Sequence, residues 1–424
     1  MKRISDILLI ILLTTFVAGC NNKSKTVLEF IQNAEGVTFK QVTGDTMFNA
    51  LYMLRFKQPI DHTDPSKGYF EQKVHWSHID FNRPVVMVTE GYSMWGTYPT
   101  ELTQMLNTNQ IVVEHRYFGE SVPDSLDYKY LTIQQAAADH HRVIEFFKQI
   151  YKGSWLTTGI SKGGQTTLYH RQQYPDDVDV SVPYVAPIIF EQEDPRIYTF
   201  LDTVGTKKCR DRIESFQEET FKRRDEIIPL FSKFAEDKGI TFSLGADVIF
   251  EYVTLEYSFA FWQWGRGNCE DIPDVSLISA KEVFNHLLNI VPITSYTDKG
   301  IESSKSFYYQ AYTQLGYYGY KLDKFGKYLK VVEHPTNSIF GPDVEMSFDP
   351  TQMRNVNNWL QTKAKNIIYI YGAADTWSAC APDVSMNKNC MFMMLKDGNH
   401  GTRIRNFSES DKKRITEKLK EWGM

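Results

Sequence analysis

The stretch Ser154-Trp-Leu-Thr-Thr-Gly-Ile-Ser161-Lys-Gly-Gly-Gln-Thr-Thr-Leu168 constrains this chain more than any other. A short apolar run, Trp155 to Thr158, meets Gly159-Ile160-Ser161-Lys162-Gly163, and a helix-like run from Gln165 to Gln173 follows. The order is strand, tight turn, helix. Gly159 and Gly163 let strand and helix approach closely because neither carries a Cβ. The G-x-S-x-G spacing is that of a nucleophile elbow, a sharp turn that lifts a serine hydroxyl clear of the backbone. The N-terminal N–H groups and dipole of the following helix then favour negative charge developing beside that hydroxyl.

Short apolar strands alternate with helical patterns on both sides of this turn. Pro84 to Val88 runs into Thr89-Glu90-Gly91-Tyr92-Ser93, and Ile111 to Glu114 runs into His115. Val178 to Val185 is a further strand. Ile367 to Tyr371 ends in Gly372-Ala-Ala-Asp375, and Met391 to Leu395 ends in Lys396-Asp397-Gly-Asn-His400. Amphipathic helices are expected from Thr132 to Lys152 and from Glu409 to Trp422. This alternation indicates a parallel sheet covered on both faces, with its active site at the carboxyl ends of the strands. Between residues 191 and 345 the pattern changes. Cys209 to Lys238 is long, charged and helical, Val248 to Trp264 is helical and aromatic, and no buried strand is visible. The chain therefore divides into a leader (1–20), a tether and N-terminal segment (21–48), a sheet domain in two parts (49–190 and 346–424), and a helical cap inserted between them (191–345).

Ser161, Asp375 and His400 each follow an apolar strand, in the chain order of α/β-hydrolases. A serine hydroxyl is a poor nucleophile until a histidine takes its proton, and the histidine needs a carboxylate to fix its tautomer. His400 is the only histidine after the Asp375 strand. Asp383 and Asp397 are rival acids, and Asp397 stands too near His400 in sequence for the separate-loop arrangement. An oxyanion hole would draw one N–H from Lys162 and the other from Gly91 or Tyr92. The fold class expected is the α/β-hydrolase fold with a helical cap.

Glu90-Gly91, Glu114-His-Arg-Tyr-Phe-Gly-Glu-Ser-Val-Pro123, the elbow, and Tyr309-Gln-Ala-Tyr-Thr-Gln-Leu-Gly-Tyr-Tyr318 together resemble the secreted serine exopeptidases of the prolyl carboxypeptidase and dipeptidyl peptidase group. They resemble more closely its bacterial relatives, the tripeptidyl aminopeptidases. The likeness runs from about residue 50 to the C-terminus. It implies cleavage of short peptides, tripeptides or dipeptides, from the N-terminus of peptide substrates through an acyl-enzyme on Ser161, with no metal and no cofactor. The lysosomal members carry Glu where Gln314 stands and Gly-Gly before their serine, so their proline preference is not carried over. An esterase or lipase using the same three residues is the alternative, though the chain has no H-G-G-G lipase loop. Glu90 is the candidate carboxylate for a substrate ammonium. Trp262, Trp264, Gln310 and Gln314 are candidate pocket residues. Glu114 and Arg116 read as a buried ion pair.

Composition adds limits. The chain has 424 residues, 42% of them hydrophobic, and a net charge of -5, which gives no reason to expect a nucleic-acid partner. Lys2 and Arg3 precede an apolar run from Ile7 to Ala18, closed by Val17-Ala18-Gly19-Cys20. That run is too short to span a membrane and ends in small residues, as a signal peptide does. The cysteine at its end resembles a bacterial lipobox, which implies a lipid anchor on Cys20 and a membrane as partner, at the periplasmic or cell-surface face. In an oxidising compartment Cys209, Cys269, Cys380 and Cys390 are expected to pair as Cys209–Cys269 and Cys380–Cys390. No C-x-x-C and no helically spaced histidine pair points to a metal. Replacing Cys20 with alanine is expected to move the protein from the membrane fraction to the soluble one on cell fractionation.

Overall fold

The computed structural model describes residues 27–94, 96–265 and 267–424. The leader and Cys20 lie outside the described residues. Among these residues nine strands form one sheet: β1 (Val37–Gln41), β2 (Ala50–Pro59), β3 (Tyr69–His78), β4 (Val85–Thr89), β5 (Asn109–Val113), β6 (Trp155–Ile160), β7 (Val180–Tyr184), β8 (Ile368–Gly372) and β9 (Met391–Leu395). Their order is β1-β2-β3-β5-β4-β6-β7-β8-β9. The first three are antiparallel, β3 meets β5 antiparallel, and every neighbour from β5 to β9 is parallel. The sheet thus starts at Val37, earlier than the alternation after residue 49 indicates.

The parallel strands read as unbroken apolar runs because both faces are covered. In β4 all five residues are buried. Val85 and Met87 pack with Val143, Ile144 and Phe147 of the helix Ile133–Phe147. Val86 and Val88 point the other way, into a core shared with Ile415 and Leu419 of the helix Glu409–Glu421. The period of two along a strand sorts these residues between the faces. The chain goes out from β4 to β5 and then returns past β4 to β6. That reversal opens a crevice beyond the carboxyl ends of β4 and β6, where ligands of such sheets bind.

The cap is built on the helices Lys207–Lys222, Arg224–Lys238, Ala246–Trp264 and Ala280–Ile290, around a core that includes Phe216, Phe231, Phe250, Tyr257 and Leu287. The charged stretch expected as one long helix breaks at Arg223, whose guanidinium donates to the carbonyls of Val275 and Ile278 at 3.0 and 2.7 Å.

Cys209 and Cys269 form a disulfide within the cap. Cys380 and Cys390 do not: both are free. The expected short-loop bridge fails on geometry. Cys380 follows β8 at the carboxyl edge of the sheet, whereas Cys390 immediately precedes β9 at the amino edge. Parallel neighbours of about five residues separate those edges by about 17 Å, and a disulfide needs Cα atoms within about 7 Å.

The expected Glu114–Arg116 pair is also absent. Arg116 is fully buried and bonds Asp139 through Nε and Nη2 at 2.7 and 2.8 Å, with further donations to the carbonyls of Pro59, Ile60 and Tyr130. Burial would raise the Asp139 carboxyl, but Arg116 and then His62 hold it below the usual range. Glu114 accepts instead from the N–H groups of Met94 and Glu120 and the Ser121 hydroxyl. A Cβ on Gly119, at φ 58, would lie 2.4 Å from a Glu114 oxygen, so this loop admits no larger residue there.

Alkylation of the denatured, unreduced protein is expected to label Cys380 and Cys390 and leave Cys209 and Cys269 protected, read by peptide mass mapping. Replacing the linked pair by serine should lower unfolding free energy by about 2–4 kcal/mol in a denaturant titration.

Candidate active site

Three backbones meet beyond the ends of β4 and β6. A Cβ on Gly159 would lie 2.2 Å from Gly163 O, one on Gly163 2.6 Å from Thr89 O, and one on Gly91 2.5 Å from Gly163 N. None of these positions admits a side chain. Between them Ser161 takes φ 58, ψ −123, a left-handed backbone that a non-glycine residue adopts only under constraint. Its N–H is tied to Tyr184 O at 2.9 Å, and it heads the helix Lys162–Gln173. The Tyr92 phenol lies within reach of its hydroxyl.

Asp375 and His400 arrive from β8 and β9. His400 Nδ1 lies 2.7 Å from Asp375 Oδ2, and both side chains are buried. The other Asp375 oxygen accepts from Trp377 N–H at 3.1 Å. The cap holds the histidine from above. His400 N–H donates to Gln263 O at 2.9 Å, Asn399 Nδ2 donates to Trp264 O at 3.1 Å, and the Trp264 ring stands edge-on to the imidazole at 5.5 Å. Ser161 and His400 line the same cavity, of about 1550 Å³, between sheet and cap. Their side chains are not hydrogen-bonded to each other here; such contacts often tighten only when substrate is engaged.

The Lys162 side chain turns away from the serine. It is buried, its Nζ donates to Gly91 O at 2.6 Å, and it lies over the Phe118 ring at 4.7 Å. Burial pushes its amine well below the ordinary lysine range. The Gly91–Tyr92 peptide is trans, so pinning the Gly91 carbonyl toward Lys162 turns the Tyr92 N–H the opposite way. The Lys162 N–H, first in its helix, has no intrahelical acceptor.

The remaining expected residues divide. Glu90 and Trp264 line the cavity. Burial first, and the neighbouring Glu114 second, push the Glu90 carboxyl up to about 7. Trp262 packs in the cap core, against Gly205, and is not on the cavity wall. Gln314 accepts the Ile133 N–H at 2.8 Å and so caps a helix of the sheet domain. Gln310 is fully buried and does not line the cavity. One group among the described residues has metal-ligand spacing, His141, Glu145 and Asp177. It does not line the cavity, and Asp177 already bonds His141 and His170 at 2.9 and 3.0 Å.

Residues 27–424 match a family described as PS-10 peptidase S37. The chain belongs to the S37 peptidases. It is 34% identical over 386 residues, 88% of this chain and 80% of the relative, to a prolyl tri/tetrapeptidyl aminopeptidase of Streptomyces mobaraensis. A lysosomal Pro-X carboxypeptidase of Mus musculus is 27% identical over 157 residues, 32% of each chain. Among solved structures, an esterase of Pyrococcus furiosus aligns with a TM-score of 0.41 at 12% identity, covering 92% of this chain and 99% of its own. This S37 peptidase is a serine peptidase with the α/β-hydrolase fold.

Sequence reasoning did not single out several cavity residues of this peptidase, among them Glu256 and, on the sheet-domain side, Arg403 and Arg405. A usable signal existed for Glu256: a glutamate in the apolar helix Ala246–Trp264. Glu256 is buried, and burial pushes its carboxyl up to about 8, against which the hydrogen bonds of Tyr318 and Tyr320 act weakly. Between about pH 4.5 and 8 the folded protein therefore keeps a proton that the unfolded chain releases, so stability falls as pH rises through that window. Glu256→Gln is expected to raise the melting temperature at pH 8 and to change it much less at pH 5, read by calorimetry.

Proposed function

We propose that this peptidase is an exported, lipid-anchored exopeptidase that releases short peptides, tripeptides foremost, from the free N-terminus of peptide substrates. The observation that carries the reading is the strained Ser161 turn opening on the same cavity as the His400–Asp375 pair. In this reading His400 Nε2 takes the Ser161 proton as Oγ attacks the scissile carbonyl. Asp375 holds Nδ1–H and steadies the imidazolium. The oxyanion accepts from the Lys162 and Tyr92 N–H groups. His400 then returns the proton to the leaving amine, and water repeats the sequence on the acyl-enzyme. The tri/tetrapeptidyl aminopeptidase among its relatives supports the exopeptidase assignment. Export is supported by the leader sequence and agrees with a disulfide in the cap.

Profiling fluorogenic di- and tripeptides against p-nitrophenyl esters tests this. Hydrolysis of free-amine tripeptides, lowered about 10⁴-fold or more by Ser161→Ala, is the expected result. Activity on esters with none on any free-amine peptide would overturn it.

Lys162 acts here as a positioning residue through the Gly91 carbonyl. Lys162→Met should lower kcat about 10–100-fold, less than the loss of a whole oxyanion donor, with KM little changed. A matching rise in KM instead would place the lysine in substrate binding.

A further inference from the structure

The cap helix Ala246–Trp264 carries Glu251 and Glu256 in an otherwise mostly apolar run, and both are buried. Their surroundings differ. Glu251 is met by Arg224 Nη1 at 2.8 Å and by the N–H groups of Lys330, Val331 and Val332. Glu256 accepts from phenols: Tyr318, at 2.9 Å to each oxygen, and Tyr320, at 3.2 Å. Among the described residues no lysine, arginine or histidine pairs with it. Tyr296, Tyr308 and Tyr317 stand near the same carboxyl. A buried carboxylate without a matching charge is costly. A ligand ammonium would give Glu256 what Arg224 gives Glu251, and the faces of tyrosine rings suit a cation.

The helix also sets a distance. Glu256, Ala260, Gln263 and Trp264 share one helix face and all line the cavity. The Gln263 end holds His400 through its backbone N–H. Seven residues at 1.5 Å each put Glu256 about 10 Å along the axis from that end. An extended peptide advances about 3.3 Å per residue, so about three residues fill the span. Glu90, the rival carboxyl, adjoins Gly91 at the oxyanion turn and faces Glu114. That places it beside the reacting carbonyl rather than three residues away. The sheet-domain side of the cavity carries Arg403, Arg405 and Lys412, charges that suit the carboxylate-bearing remainder of the substrate.

We propose that Glu256, framed by Tyr318 and Tyr320, receives the α-ammonium of the substrate, and that its distance from His400 along the cap helix makes that helix a ruler for three residues. This inference rests on the exopeptidase reading above.

The test compares kcat/KM for a fluorogenic tripeptide amide with a free amine and for its N-acetyl form. Glu256→Gln is expected to shrink the free-to-acetylated ratio about 10–100-fold, the worth of one charge-assisted hydrogen bond, and to blur the preference for tripeptides over di- and tetrapeptides. Glu90→Gln is expected to leave both preferences in place. A fluorophosphonate that labels Ser161 shows beforehand that each variant has an intact site. If Glu256→Gln does not take the label, carbodiimide coupling of the tripeptide amide to the Ser161→Ala protein gives the answer, with the adduct mapped by mass spectrometry. Coupling at Glu256 supports the assignment, and coupling at Glu90 or at no cavity carboxyl overturns it. An unchanged ratio in a labelled Glu256→Gln, or its collapse in Glu90→Gln, also overturns it. A wild-type enzyme that cleaves no free-amine peptide sinks the exopeptidase reading itself; a wild type that strongly prefers free amines, with that preference surviving in Glu256→Gln, sinks the ruler alone.

Discussion

The contact between backbones at Gly91, Gly159 and Gly163 is the constraint from which the rest of the site follows. With a Cβ at any of them, strand β4, strand β6 and the helix after Ser161 would have to separate. Their closeness fixes the backbone at Ser161 in its left-handed conformation and brings the Gly91–Tyr92 peptide against the helix N-terminus. The position of the Ser161 hydroxyl and the direction of the Lys162 and Tyr92 N–H groups are therefore set by one packing event. Thr89 reinforces it, with its hydroxyl 2.9 Å from Gly163 O and 2.7 Å from Thr167 Oγ1. Strain of this kind persists only where the surroundings over-determine the backbone, and here they do so from three directions.

Buried carboxyls are handled in several ways within this one chain. Asp139 is neutralised by a bidentate guanidinium and belongs to the framework. Glu114 is satisfied by two backbone N–H groups and a hydroxyl, and it shapes the loop that carries Met94. Glu251 has Arg224 and three N–H groups. Glu256 and Glu90 have neither a guanidinium nor an ammonium among the described residues, and both open on the cavity. Asp139 and Glu251 are matched by guanidinium groups and Glu114 by N–H groups and a hydroxyl, whereas burial keeps protons on Glu256 and Glu90, which open on the cavity with only phenols or a neighbouring carboxyl beside them.

The cap does more than cover the site. The last turn of the helix Ala246–Trp264 accepts the His400 N–H and the Asn399 amide, so it sets the height of the imidazole above the sheet. Gly265 permits this, since a Cβ there would lie 2.3 Å from Asn399 Nδ2. The disulfide between Cys209 and Cys269 ties the loop just after this helix to the helix Lys207–Lys222. Cap and sheet domain thus share the site, and neither builds it alone.

Local sequence determined the elements that carry the site. The apolar runs at Val85, Trp155, Ile368 and Met391 read as strands because a parallel sheet buries both faces of each. The elbow reads from two glycines flanking a serine, since only glycine tolerates that approach. Pairing across the fold was decided elsewhere. Nothing near Arg116 in the sequence names Asp139 rather than Glu114 as its partner, because the choice depends on which helix lies under β2 and β5. Cys380 and Cys390 look close in the chain, yet a parallel strand must return to its starting edge, which parts them. Gln314 and Trp262 have the composition of pocket residues, but their helices turn them toward a helix N-terminus and the cap core. Glu256 gains its setting from tyrosines more than sixty residues away, brought to it by the cap's tertiary packing. Short-range chemistry fixes strands, turns and helices; the burial and partners of a charged group are properties of the space those elements enclose.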